Sequence, residues 1–139
     1  MNQQEFINKV IGLPWVNRAS SFDEVDCWGL VTLYYKHVLG IDLPIITGYA
    51  KGECDTSHGW QSGINQWQQM DRPSVNGLLF TCYKGDEPSH VGITISAIKV
   101  LHARGFVGCA GKVEIHSIRA IESIYGKITL HKFIGQVNA

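Results

Sequence analysis

Apolar residues recur in threes and fours along the first forty positions and alternate singly with polar ones in the second half, which predicts helices first and strands after. Asn2 and Glu5 have the spacing of a capping box, and Phe6, Ile7, Val10 and Ile11 follow at helical intervals, so a first helix is expected to run to about Ile11. Gly12-Leu13-Pro14 ends it, because the residue before a proline is driven from the helical region and Pro14 has no N–H to donate. Trp15 to Phe22 reads as a polar loop. A second helix carries Cys27, Leu30, Val31, Tyr34, Tyr35 and Val38 on its apolar stripe and stops at Gly40; Ser21 to Glu24 offers it a capping box, with Asp23 and Asp26 as further cap candidates.

From Ile46 to Asn76 the chain is rich in Gly, Gln, Ser and Trp, with a short helix expected around Ile64 to Met70. A weakly apolar connection of this length in a small domain is usually a binding loop. Strands are then expected at Leu78 to Tyr83, His90 to Ser96, Lys99 to Ala103, Lys112 to Ser117 and Lys127 to Gly135, with a turn or short helix over Ala120 to Tyr125. The expected fold is α+β, one domain over 1–139, with N-terminal helices packed on one side of a mostly antiparallel sheet of about five strands.

Composition narrows the function classes. Apolar residues make up 45% of the 139 and charged ones 17%, enough for a real core and unlike a disordered chain. Twelve basic residues balance twelve acidic ones, so nothing marks a surface for a phosphate backbone or an anionic bilayer, and neither nucleic acid nor membrane insertion is expected. The first residues lack the basic segment and apolar run of a secretory signal, so the chain is expected to be made in the cytoplasm and to stay there unless something else delivers it. Cys27, Cys54, Cys82 and Cys109 are 27 to 28 residues apart without a CxxC pair, and they read as free thiols of a reducing compartment.

Among these cysteines Cys27 stands out, because the start of a helix offers unpaired N–H groups and a positive dipole end that favour a thiolate. A nucleophile also needs a base and a group that orients the base. His90 shares a strand face with Gly92, Thr94 and Ser96, opposite Val91, Ile93 and Ile95. A two-residue loop at Ala97-Ile98 would set His102 opposite Ile93, on the wrong face. A three-residue loop, Ser96 to Ile98, sets it opposite Gly92, diagonal to His90 and within imidazole reach. The three-residue connection is the expected one.

Several segments together resemble the NlpC/P60 cysteine peptidases: Gly12-Leu13-Pro14-Trp15, Asp26-Cys27-Trp28-Gly29-Leu30-Val31, Leu43-Pro44, Ser89-His90-Val91-Gly92-Ile93 and Leu101-His102-Ala103. The resemblance covers roughly residues 5 to 105, and the Asp-Cys-Trp-Gly-Leu-Val form is most similar to small members encoded in phage tail clusters. It implies a papain-like fold in which Cys27 is the nucleophile, His90 the general base and His102 the orienting residue, acting on amide bonds of peptidoglycan stem peptides. It further implies phage tail or baseplate proteins as partners and the virion tail, periplasm or cell wall as the place of action, with no cofactor and no metal.

Three features depart from the family pattern. Trp15 and Trp28 stand where many cell-wall members carry Tyr and Ser, and Gly77-Leu78 replaces a Gly-Asp pair. Asp26 is available for a substrate amine or as a helix cap, and Trp15, Trp28, Trp60 and His58 are candidates for lining the substrate cleft, while Trp67 reads as packing. His37, His116 and His131 are scattered without zinc-ligand spacing, and Cys54, Cys82 and Cys109 read as structural. Two other functions fit the same fold: a catalytically silent tail assembly protein, and a thiol-dependent acyltransferase or deamidase toxin.

Overall fold

The computed structural model describes residues 1–43, 66–73, 75–106 and 109–135, and the side chains at 106–110 fall outside that description. Most of the expected binding loop, with His58 and Trp60, therefore lies outside the described residues. The elements are α1 (Gln3–Val10), α2 (Cys27–Tyr34), β1 (Trp67–Met70), β2 (Leu79–Lys84), β3 (Glu87–Thr94), β4 (Lys99–Phe106), β5 (Cys109–Ser117), α3 (Ile118–Tyr125) and β6 (Ile128–Phe133).

The first helix is capped as its sequence predicts: Asn2 Oδ1 accepts from Glu5 N at 2.8 Å, and Glu5 Oε1 accepts from Asn2 N at 3.2 Å. The cap of α2 is Asp26, whose side chain accepts from Gly29 N. Ser21 does not start a helix. Its hydroxyl accepts from the amides of Asp23 and Glu24 and shapes a turn before the helix. After Tyr34 the helix widens into a π-type turn, Tyr35–Leu39, and ends on Gly40 at φ 69°, a left-handed position that suits glycine.

The described strands form a six-stranded sheet in the order β1-β6-β2-β3-β4-β5, with every neighbouring pair antiparallel. The sixth strand is β1, in the segment where a short helix was expected. Gln68 and Gln69 hide its character, since Trp-Gln-Gln-Met has no period-2 pattern. Pairing with β6 sets the outcome, together with the ring of Trp67, which packs edge-on against Tyr35 and Phe133. Strand β3 starts earlier than expected, at Glu87 just after the tight turn at Gly85-Asp86, and ends earlier, at Thr94, while β4 continues past Ala103 to Phe106 and β5 begins at Cys109 rather than Lys112.

Two cores flank the sheet. Alternation sends Leu79, Val91, Ile93, Leu101, Ala103 and Val113 into a core with α1 and α2, while Leu78, Phe80, Cys82, Val100 and Leu130 join Ile121 of α3 in a second. The helices are thus not all on one side: α3 follows β5 and covers the opposite face from α1 and α2. No helix of the described residues is long and apolar enough to cross a membrane.

Candidate active site

The β3–β4 connection fixes the site. Ile93 pairs with Leu101 and Thr94 with Val100, so continuing the register places His102 opposite Gly92. Ser96 Oγ accepts from the amides of Ile98 and Lys99 and closes the three-residue turn that this register requires. His90 and His102 then share a face, with His90 Nε2 and His102 Nδ1 2.8 Å apart. Gly92 between them has to be glycine, because a Cβ there would collide with the Phe80 ring, whose edge-on contacts reach both imidazoles.

The line of imidazoles does not stop at His102. Its Nε2 lies 2.7 Å from Nδ1 of His116 on β5, and Nε2 of His116 faces Glu114 Oε2 at 4.0 Å. Tyr125 of α3 stacks on His90 at 5.8 Å with its ring 12° from parallel. His116, Phe80 and Tyr125 are site neighbours that motif spacing does not reveal. The three histidines are in series and turn their nitrogens toward one another. Among the described residues no three His, Cys, Asp or Glu side chains converge on a metal position.

Burial sets the protonation of this line. His90 is 5% exposed and His102 is fully buried. Burial holds the His90 imidazole well below the usual range, helped by the Arg104 guanidinium; His102 is pushed down by burial first, then by His90, His116 and Arg104. Both rings are neutral at pH 7, the state in which an imidazole has a lone pair to accept a proton.

Cys27 opens α2 and is buried in the first core. It is disulfide-bonded, and since Cys82 is free, its partner lies outside the described side chains. This corrects the expectation of four free thiols. Cys82 is buried strand core as expected, and burial pushes its thiol up to about 12. The rings of His90 and His102 lie against Phe80, in the second core, so Cys27 and the imidazole line are held by different cores.

Asp26 is buried, with one carboxylate oxygen accepting from Gly29 N at 2.7 Å and the other from Arg18 N at 2.8 Å. It caps α2 and pins Arg18, a non-glycine residue at φ 63°. Gly29 is required beside it, since a Cβ would strike the Ala19 carbonyl. Trp15 and Trp28 are both buried in the first core, and each indole N–H lacks a hydrogen-bond partner among the described residues. Gly77 works in packing: its N–H donates to Thr94 O and its carbonyl accepts from the Tyr35 hydroxyl.

A search of curated proteins finds none that matches the chain. The profile of the NlpC/P60 family matches residues 12–134, a span that takes in Cys27, His90, His102 and His116. Members of that family are generally cysteine peptidases, and the match points to a function of the cell-wall peptidase type. The α+β architecture with its antiparallel sheet agrees with the papain-like fold of such proteins. The chain belongs to the NlpC/P60 family.

Proposed function

We propose that the protein is a cysteine endopeptidase that hydrolyses amide bonds in the stem peptides of bacterial peptidoglycan. The observation that carries this reading is the bond between His90 and His102, which leaves Nδ1 of a buried, neutral His90 as the nitrogen for a thiol proton. The working form has Cys27 reduced. The Cys27 thiol gives its proton to His90, the sulfur attacks the amide carbonyl, and the backbone N–H of Cys27 at the helix start receives the oxyanion. The C–N bond breaks as His90 returns the proton to the leaving amine. Water, deprotonated by His90, then cleaves the thioester and restores the thiol. Delivery by a phage tail or baseplate is supported by the form of the Asp26–Val31 segment. Trp60 and His58 are the residues we would place nearest the stem peptide; Trp15 and Trp28 are buried and both oxygens of Asp26 hold backbone amides, so contact of any of these three with the stem peptide or its amine requires the site to open.

The disulfide at Cys27 favours a second reading, a structural tail component in which the cysteine is a staple. Incubating purified muropeptides with reduced protein and with Cys27→Ala, and identifying products by mass spectrometry, separates the two. The peptidase reading expects products from the wild type alone, and none from either would leave the structural reading standing.

A further inference from the structure

His116 ends the imidazole line, and the direction in which the line's protons point decides whether His90 works as a base. A neutral imidazole carries one N–H. The two contacts, His90 Nε2 to His102 Nδ1 and His102 Nε2 to His116 Nδ1, are therefore satisfied in either of two concerted arrangements. In the outward arrangement His90 Nε2–H donates to His102, His102 Nε2–H donates to His116, and His116 Nε2–H points toward Glu114, leaving His90 Nδ1 bare. In the inward arrangement every proton moves to the other nitrogen, and His90 Nδ1 carries a hydrogen and accepts nothing.

We propose that His116, with the carboxylate of Glu114, is a positioning residue that selects the outward arrangement and so keeps His90 Nδ1 open to accept the thiol proton. The carboxylate stands 4.0 Å from His116 Nε2 and favours a hydrogen on that nitrogen. His116 Nδ1 then accepts from the fully buried His102, which would otherwise have an unsatisfied N–H. The other ionisable groups around the line include Arg104 on β4, whose positive charge disfavours a proton on either buried ring, Tyr125 on α3, and Cys82 on β2, which pairs across from His90 and is kept as a neutral thiol by burial. His116 and Glu114 are about one-third exposed, so both are replaceable without opening a core.

The inference rests on the peptidase reading for its purpose, yet its test does not need turnover. Nitrogen-15 NMR of the imidazoles reports which nitrogen of His90 carries the hydrogen. The wild type is expected to show His90 protonated at Nε2, His116→Leu to move a large fraction to Nδ1–H, and His116→Gln, whose amide oxygen still accepts from His102, to stay as the wild type. In turnover, His116→Leu is expected to lower kcat roughly 10–100-fold at little change in KM, less than the roughly 10⁴-fold cost of a fully wrong tautomer because part of the population keeps the outward arrangement, with His116→Gln restoring most of it. Wild-type His90 found as Nδ1–H, or a His90 tautomer indifferent to His116→Leu, would overturn the inference. So would a His116→Gln protein as slow as His116→Leu. If no muropeptide is cut by any variant, the peptidase reading fails while the tautomer measurement still decides this one.

Discussion

His102 stands opposite Gly92 across β3 and β4, and that register brings its Nδ1 to 2.8 Å from Nε2 of His90. The bond depends on the space that glycine leaves for the Phe80 ring beneath both imidazoles. Gly92→Ala is expected to destabilise the protein by about 1–3 kcal/mol, the usual cost of overpacking a filled core. Urea unfolding followed by fluorescence measures it, and an unchanged midpoint would show that both the Phe80 ring and the Leu101 carbonyl, which a Cβ would also meet, give way freely.

In the proposed mechanism His90 and His102 have unequal tasks: His90 moves the proton and His102 orients it, so His90→Ala is expected to lower kcat by about 10²–10⁴-fold, the range of general base catalysis, and His102→Ala by less. His102→Gln, able to accept from His90 Nε2–H, is expected to fall between the wild type and His102→Ala. Steady-state kinetics on a muropeptide gives the order.

With Cys27 as the proposed nucleophile, its disulfide would make activity conditional on reduction. Protein purified without reductant is expected to be inactive and to resist labelling of Cys27 by iodoacetamide, and treatment with a thiol or phosphine is expected to restore both. Peptide mapping by mass spectrometry follows the labelled site. Turnover undiminished in the absence of reductant would contradict the thiol mechanism.

Acid should destabilise the fold through its buried histidines. Burial lowers His131 to about 4 from an ordinary value of 6.5, and it is 2% exposed. Its folded form thus binds fewer protons than the unfolded chain between those values. The stabilisation is complete above about pH 6.5 and is lost as the pH falls toward 4, amounting to about 2 kcal/mol lost by pH 5 for such a shift. Buried His90 and His102 are shifted in the same direction and add to the effect. Thermal melts from pH 7 to 5 check the trend, and His131→Gln is expected to flatten it.

Much of the site was legible because it depends on parity. Strict alternation from His90 to Ser96 and a loop of three residues were enough to set His102 beside His90. His116 obeys the same rule one strand further on, but the Gly-rich β4–β5 connection hides its own length, and the register shifts between Arg104 and Phe106. Without that parity, His116 reads as one histidine among several. Strand β1 was hidden because its partner, β6, is some sixty residues away and its own sequence does not alternate. Asp26 was legible as a cap and the Ser21–Glu24 pattern misleading, because a serine turn and a capping box use the same hydroxyl-to-amide bonds.

Cys27 and His90 are proposed to act as one nucleophile and base, although the fold holds them in different cores. The pH dependence of iodoacetamide alkylation at reduced Cys27, in the wild type and in His90→Ala, tests it most directly. Wild-type Cys27 is expected to react faster than a model thiol near neutrality, where an ordinary cysteine of pKa about 8.5 is mostly protonated, and His90→Ala is expected to remove the advantage. Equal rates in the wild type, His90→Ala and the model thiol would contradict it.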